Sequence, residues 1–382
     1  MMNNRHRRLA TFSALGLSAA LVLTACATTE EAPEADSGEE LTPVTLQLQW
    51  LPQGQFAGYF AAQEQGYFEE AGLDVEIIPS GGDIVPQDAL ANGDVDYAIA
   101  WVPKVLGSIE AGANVTNIAQ IFQRSGTLQV AWADGDISSV ADFEGKKIGS
   151  WGFGNEWEIF AAMAEEGLDA STVEIITQDF NMNAFLAGDI DAAQAMTYNE
   201  YAQLLEAVDP ETGELYTADD FTVISYEDTV GAMLQDAIWA DTERLESDAD
   251  YQETTVAFLK AVIKGWIFAA ESPEEAAQIT IDAGSGWGPS HELWMVNETN
   301  KLIWPAPNGI GYIDEAAFDA TVAAALSAVN ESGASLITEE PPASAWTNEY
   351  IEQALAELEA EGFDITGDSF TPIEVELLEG GN

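Results

Sequence analysis

Hydrophobic and polar residues alternate along the first part of the chain with the period of a β-strand. In residues 44–50, valine, leucine and tryptophan occupy every second position, and threonine and glutamine occupy the others, which predicts a strand with one buried face. The next segment has helical periodicity, with Phe56 and Phe60 on one face, and Gly66 ends it. A second alternating run at residues 73–77 predicts a second strand.

This alternation of strands and helices continues along the chain. The pattern predicts a helix to about Asn92, a strand from Tyr97 to Trp101, a helix from Lys104 to Ala111 and a strand from Val115 to Phe122. Strands that alternate with helices pair in parallel through right-handed crossovers. The predicted fold class is therefore α/β.

A second unit of the same kind begins at residues 142–151. The segment Gly93-Asp94-Val95-Asp96 recurs as Gly188-Asp189-Ile190-Asp191, and Trp50 and Trp151 each stand at a strand end before a glycine-containing loop. We interpret this internal similarity as two lobes of like construction. A Gly-Asp turn between a helix and a strand is common, so chance similarity is the alternative.

The segments that follow the predicted strands carry the candidate chemistry, because ligands of open α/β sheets bind beyond the carboxyl ends of the strands. We predict a ligand site formed by Trp50, Gln53, Phe56, Tyr59, Asp83, Trp101, Trp151, Phe153, Asn155, Glu156, Tyr198, Asn199 and Glu200. Taken singly, each ring is better explained as core, and the repeated placement after strand ends is what favours a site. Aromatic faces with a few amides and carboxylates suit a flat, neutral or weakly basic heterocycle.

Two other kinds of site are not indicated by the same segments. Gly152-Phe153-Gly154 lacks the Lys-Ser/Thr pair of a phosphate-binding P-loop and the third glycine of a dinucleotide fingerprint. Glu156 and Glu158 are two positions apart on a predicted helix, so their side chains point in different directions and do not form an acid–base pair. We predict no catalytic residue.

The N-terminus has the composition of an export signal. Basic residues precede a mostly apolar run from Leu9 to Leu23, which is shorter than a membrane-spanning helix. The run ends in Leu23-Thr24-Ala25-Cys26, which resembles the bacterial lipobox, and Cys26 is the only cysteine in the chain. We predict a lipoprotein signal peptide at residues 1–26 with lipidation of Cys26, an acidic flexible tether at residues 27–41 and anchorage at the outer face of the bacterial membrane.

The charge and the histidine content of the chain bear on its partners. The sequence has 67 acidic and 11 basic residues and a formal charge of −56; loss of three signal-peptide arginines would bring it to about −59. A field of this sign repels nucleic acid, so we predict no nucleic-acid partner. His291 is the sole histidine after the signal, so we predict no metal site and give His291 a capping or packing role.

Residues 50–62 and 66–75 resemble a known family. Trp50, Pro52, Gly58 and Tyr59 stand at places of its opening motif, and the second lobe opens with the run Gly145-Lys146-Lys147-Ile148-Gly149. The chain is similar to the thiamine-pyrimidine family of substrate-binding proteins of bacterial ABC importers, which also has relatives assigned to riboflavin and a eukaryotic pyrimidine synthase. The resemblance covers about residues 41–239 and implies the type II periplasmic-binding-protein fold, with two lobes around a cleft.

The chain departs from the family's pattern in ways that bear on function. Gln53 and Phe56 replace the asparagine and histidine that are common in the motif, which leaves the exact pyrimidine open. The resemblance implies that the synthase uses a cysteine-rich motif, a cofactor-bearing lysine and a histidine. This chain has no cysteine after Cys26, and we predict no histidine near the cleft. We therefore expect neither enzyme activity nor a cofactor.

The resemblance also implies an organisation and a role. Lobe I would comprise residues 42–133 and 233–382, lobe II residues 134–232, and helices near 254–270 and 274–281 would pack on lobe I. The expected function is capture of a small aromatic heterocycle, a thiamine pyrimidine precursor, by a monomer that delivers it to an ABC permease and its ATPase. The alternatives are a riboflavin-binding importer component, a synthase-like enzyme and a solute-sensing lipoprotein.

Overall fold

A computed structural model describes residues 41–382 of the chain. The predicted signal peptide, Cys26 and all of the predicted tether except Leu41 lie outside the described residues. Within residues 41–382, no helix has the length and the apolar composition needed to cross a membrane.

The described residues form strands and helices in alternation. The strands are β1 Thr42–Gln47, β2 Leu73–Ile78, β3 Tyr97–Trp101, β4 Val115–Gln120, β5 Thr127–Trp132, β6 Lys147–Ser150, β7 Glu174–Thr177, β8 Ala192–Met196, β9 Phe221–Ser225 and β10 Asp236–Asp241. The helices are α1 Ala57–Glu64, α2 Tyr67–Glu70, α3 Pro86–Ala91, α4 Val102–Glu110, α5 Trp157–Glu165, α6 Asn183–Leu186, α7 Glu200–Leu205, α8 Thr242–Ser247, α9 Ala249–Glu271, α10 Pro273–Asp282, α11 Pro289–Ile303, α12 Glu315–Ser327 and α13 Glu349–Glu361.

The strands make two five-stranded sheets of the same design. The first sheet has the order β2-β1-β3-β10-β4, and the second has the order β7-β6-β8-β5-β9. In each sheet the first three strands are parallel, and the fourth runs antiparallel to both of its neighbours. The α/β prediction is confirmed, but the prediction that the strands pair only in parallel is wrong. β5 and β10 are the first strands after the two crossings of the chain between the sheets, and both run antiparallel to their neighbours.

Two segments carry the chain between the sheets. One joins β4 to β5 across residues 120–127, and the other joins β9 to β10 across residues 225–236. β5 pairs with β8 and β9 in the second sheet, although the sequence analysis assigned residues 42–133 to lobe I. The pairing corrects that assignment for residues 127–132, because a strand belongs to the sheet in which its backbone is hydrogen-bonded.

The helices that follow β10 cover the first sheet. Val44 and Leu46 of β1 share one buried cluster with Phe258 and Trp266 of α9 and with Ala276 of α10. These two helices correspond to the segments that the sequence analysis placed near residues 254–270 and 274–281.

Helices α1 and α9 cross at two glycines. A Cβ atom added at Gly265 would lie 2.0 Å from the carbonyl oxygen of Gly58, and one added at Gly58 would lie 2.2 Å from the ring of Trp266. Only glycine permits backbones to approach this closely. The crossing holds α1 against the first sheet, directly behind the segment that follows β1.

Helix α12 touches the hydrophobic clusters of both sheets. Phe318 and Val322 belong to a cluster with β3 and α4, while Ala324 belongs to a cluster with residues of β6 and α5. α12 therefore packs beside the two crossing segments and contributes to the junction between the sheets.

Candidate functional site

A cleft of about 500 Å³ lies at the carboxyl ends of the parallel strands of both sheets. The first sheet contributes the segments after β1, β2 and β3, and the second contributes the segments after β6, β7 and β8. The segments that the sequence argument selected at strand ends thus lie around one cavity. Its volume is in the range of small-molecule sites.

Nine of the predicted site residues line this cleft. They are Trp50, Gln53, Trp101, Trp151, Phe153, Asn155, Tyr198, Asn199 and Glu200. Each lies at a strand end or soon after one, so the fold brings together side chains that are up to 150 residues apart in the sequence.

Four predicted residues do not line the cleft, and the predicted set is corrected accordingly. Phe56 and Tyr59 are buried in the core of the first sheet, where the Tyr59 ring lies edge-on to Trp266 at 5.7 Å. Asp83 is exposed, and its carboxylate accepts a hydrogen bond from Gly81 N. Glu156 accepts a hydrogen bond from Gly154 N at 2.9 Å and so supports the loop that forms the wall.

Three aromatic rings stand side by side at the cleft. Phe180, which follows β7, lies 4.4 Å from Trp50 and 6.2 Å from Trp151, with an angle of 16° to the Trp151 plane. Trp50 comes from the first sheet and Trp151 from the second, so these rings connect the two walls. Sequence reasoning missed Phe180, although an aromatic residue soon after a strand end was the available signal.

A buried carboxyl group fixes the Trp101 side of the cleft. Asp236 at the start of β10 accepts hydrogen bonds from Trp101 Nε1 and Gln49 Nε2, both at 2.8 Å. Burial raises the pKa of Asp236 to about 7, although the two donors and the charge of Lys104 act in the opposite direction. The bonds fix the orientation of the Trp101 indole in the cleft wall.

Lys104 is the one basic side chain among the described residues that line the cleft. Its ammonium lies 5.1 Å from the centre of the Trp101 ring, and its methylene chain packs against Gly154 of the opposite wall. Burial lowers the pKa of Lys104 to about 8, while the nearby carboxylates of Asp236 and Glu156 act to raise it. The sequence analysis had not included this residue in the site.

A buried polar network supports the wall formed by the second sheet. Glu200 accepts hydrogen bonds from Met196 N at 3.0 Å and from Asn199 Nδ2 at 3.2 Å, and burial raises its pKa to about 7. Asn199 Oδ1 lies 3.0 Å from His291 Nε2, and the other ring nitrogen lies 2.9 Å from the Glu206 carboxylate. The prediction of no histidine near the cleft is therefore wrong, because α11 brings His291 directly behind Asn199.

Three buried polar atoms of lining residues have no hydrogen-bond partner in the described part of the chain. They are the side-chain carbonyl oxygens of Gln55 and Gln87 and the indole nitrogen of Trp151. Buried polar groups in folded proteins are nearly always paired. A bound molecule with its own donors and an acceptor would satisfy them.

No group of three or more histidine, cysteine, aspartate or glutamate side chains within residues 41–382 is arranged to hold a metal ion. The polar groups of the cleft are amides, one carboxyl group, indoles, one phenol and one amine. This set suits recognition of an organic molecule by stacking and hydrogen bonds.

Comparison with known proteins places this geometry in a family. A family model described as NMT1/THI5 like matches residues 53–276, more than half of the chain. The chain belongs to the NMT1/THI5-like family. Membership confirms the resemblance found in the sequence, and the matched region contains most of the segments that line the cleft.

Curated relatives of the chain include both binding proteins and an enzyme. A formylaminopyrimidine-binding protein of Halalkalibacterium halodurans is 25% identical over 69% of this chain and 76% of its own length. The riboflavin-binding protein RibY of Chloroflexus aurantiacus is 25% identical over 70% of this chain and 76% of its own. A 4-amino-5-hydroxymethyl-2-methylpyrimidine phosphate synthase of Saccharomyces cerevisiae is 25% identical over 43% of this chain and 48% of its own.

Solved structures confirm the fold. The putative periplasmic sulfonate-binding protein SsuA of an ABC transporter from Methylobacillus flagellatus superposes with a TM-score of 0.58 at 19% identity, over 89% of this chain and 99% of that one. The chain thus has the two-lobed α/β fold of periplasmic binding proteins, as its sequence predicted.

Proposed function

We propose that this protein is the extracytoplasmic solute-binding component of an ABC importer and that it captures an aminopyrimidine precursor of thiamine. The observation that carries the proposal is that one cleft contains both aromatic rings from its two walls and buried polar atoms without a hydrogen-bond partner in the described residues. Trp50, Phe180 and Trp151 offer surfaces for a flat ring, and Gln55 and Gln87 offer acceptors for its amino groups.

Binding without turnover is the simplest role for this cleft. The relatives that this chain matches over more than two thirds of its length include binding proteins, whereas the synthase match covers less than half of it. By resemblance, the synthase also requires a cysteine-rich motif, and Cys26 is the only cysteine here. A riboflavin-binding role is the second candidate, favoured by the similarity to RibY.

Capture would work through closure of two lobes. We assign lobe I to the first sheet with the helices that follow β10, and lobe II to the second sheet, with the boundaries in the two crossing segments. A ligand that contacts both walls favours the closed form by its differential affinity for it. A permease that recognises the closed form would then receive only loaded protein.

Delivery to a membrane partner would be helped by a lipid anchor at Cys26. The lipobox and the acidic tether support this part of the proposal. We expect Cys26→Ala to remain an uncleaved or soluble precursor, measured by incorporation of labelled fatty acid in a lipoprotein-competent bacterium. Continued labelling of the Cys26→Ala chain would contradict the assignment.

The direct test of the ligand is mass spectrometry of small molecules released from the purified full chain on denaturation. The expected result is an intact aminopyrimidine, recovered unchanged after incubation with the refolded protein. Recovery of a flavin would support the second candidate. Conversion of an added pyrimidine to another product would reject the binding role.

A further inference from the structure

The side chain of Gln87 has a defined orientation at the cleft wall. Gln87 lies at the start of α3, lines the cleft and is 6% exposed. Its Nε2 donates to Ser108 Oγ at 3.3 Å, and Ser108 Oγ donates to the Lys104 carbonyl oxygen at 3.4 Å. Because the hydroxyl of Ser108 has one hydrogen and directs it to that carbonyl, Ser108 accepts from Gln87.

The remaining end of the Gln87 carboxamide is therefore its carbonyl oxygen. This Oε1 atom is buried and has no hydrogen-bond partner among residues 41–382. A buried acceptor without a partner is unfavourable, so a ligand that donates a hydrogen bond to it gains affinity. A ligand that presents a second acceptor at the same place loses affinity, since neither group carries a hydrogen.

We infer that Gln87 is a specificity residue that accepts a hydrogen bond from an exocyclic amino group and so selects aminopyrimidines over oxopyrimidines. The inference deepens the proposed function and rests on it. Ser108 acts as the positioning residue, because its contact holds the carboxamide with the carbonyl oxygen free.

Gln55 is the competing acceptor in the same cleft. Its Oε1 is also unpaired, and its Nε2 donates to Gln53 Oε1 at 3.1 Å. No further side-chain hydrogen bond in the described part of the chain fixes the Gln53 amide, so both amides of this pair can be reversed together. The Gln87 carboxamide is the one that a second contact orients, and this favours Gln87.

The test is calorimetric titration of the full chain with 4-amino-5-hydroxymethyl-2-methylpyrimidine and with its 4-oxo analogue. We expect the wild-type chain to prefer the amino compound by about tenfold to a hundredfold, because a polar site rejects the analogue that leaves it unpaired. Gln87→Met should reduce the preference to less than about threefold, mainly through weaker binding of the amino compound. Ser108→Ala should reduce it as well, since the carboxamide is then free to reverse.

The matched control is Gln278→Met, which makes the same change on the exposed face of α10 and should keep the full preference. A preference unchanged in Gln87→Met would overturn the inference, as would loss of the preference in Gln55→Met with Gln87→Met unaffected. If the wild-type chain binds both pyrimidines equally, only the role of Gln87 is rejected. If it binds neither, the proposed function is rejected together with it.

Discussion

Single side chains in the cleft show what strand-end reasoning can predict and where it stops. Trp101 is the last residue of β3 and Trp151 follows β6 directly, and their backbone position alone brings them to the ligand side of the sheets. Phe56 and Tyr59 lie in the next turn and helix, where the direction of each side chain depends on what packs behind it. The packing partner of Tyr59, Trp266, is more than 200 residues away in the sequence, so no local pattern could assign the Tyr59 ring to the core.

The predicted stack at the cleft can be tested one ring at a time. We expect Trp50→Ala and Trp151→Ala each to weaken ligand binding by about 1–3 kcal/mol, because the ring of the ligand loses an aromatic side chain on which it stacks. Trp50→Phe, which keeps an aromatic face, should lose less. Calorimetry with the ligand recovered from the protein is the measurement, with circular dichroism as the check on folding.

Unchanged affinity in both alanine variants would remove the stacking role from these residues. Phe180 is the third ring of this set, and Phe180→Ala is informative if the two tryptophans behave alike. It touches Trp50 more closely than Trp151. Loss of the Phe180 ring should therefore disturb the position of Trp50 more than that of Trp151.

At the scale of elements, the strands of the first lobe after β1 were predicted correctly up to β4, because the alternation of apolar and polar residues is a local signal. The predicted strands at residues 73–77, 97–101 and 115–122 correspond to β2, β3 and β4. The insertion of β10 between β3 and β4 was missed, because pairing between strands some 120 to 140 residues apart leaves no periodic trace in either segment.

The crossing of α1 and α9 predicts a large effect from a small substitution. Gly265→Ala should lower the free energy of unfolding by about 1–3 kcal/mol, since its methyl group would overlap the backbone of Gly58. Gly286→Ala is the matched control, because a Cβ there meets no atom within 4 Å. Urea unfolding of both variants is the measurement, and equal midpoints would contradict the close approach.

Glu158 connects α5 to both segments that join the sheets. Its carboxyl group accepts hydrogen bonds from Ser125 Oγ at 2.6 Å, Met233 N at 3.0 Å and Gln235 Nε2 at 3.2 Å. Burial raises the pKa of Glu158 to about 7, although all of these donors act to lower it. The group therefore ties together the parts of the chain through which lobe closure would pass.

Removal of this carboxyl group should destabilise the junction. We expect Glu158→Leu to lower the free energy of unfolding by about 2–4 kcal/mol, because three buried donors lose their acceptor. Glu166→Leu, at the C-terminal end of the same helix and exposed, is the comparison. Thermal and urea unfolding measure the effect, and equal stability of the two variants would argue against a junction role.

At the scale of the whole molecule, charge bears on the ligand. With a formal charge of −56 and Lys104 as the one basic residue among the described residues of the cleft lining, a phosphate ester would enter against the field. We expect hydroxymethylpyrimidine to bind at least about tenfold more tightly than its phosphate at low salt. The gap should narrow at high salt, because screening shortens the reach of surface charge to about 8 Å or less.

Paired titrations of the two compounds at low and high salt are the measurement. Tighter binding of the phosphate at both salt levels would contradict the expectation. It would instead indicate an anion subsite between Lys104 and the loop at residues 152–155, because the Lys104 side chain lies against Gly154 of that loop.

The position of β10 has a consequence for the order in which the chain acquires structure. The first sheet needs Asp236–Asp241 between β3 and β4, so this sheet stays incomplete until nearly two thirds of the polypeptide has been synthesised. Folds that depend on such distant pairings form slowly. If the chain is exported through its predicted signal peptide, slow folding is an advantage, because a polypeptide that is still unfolded can pass through the membrane.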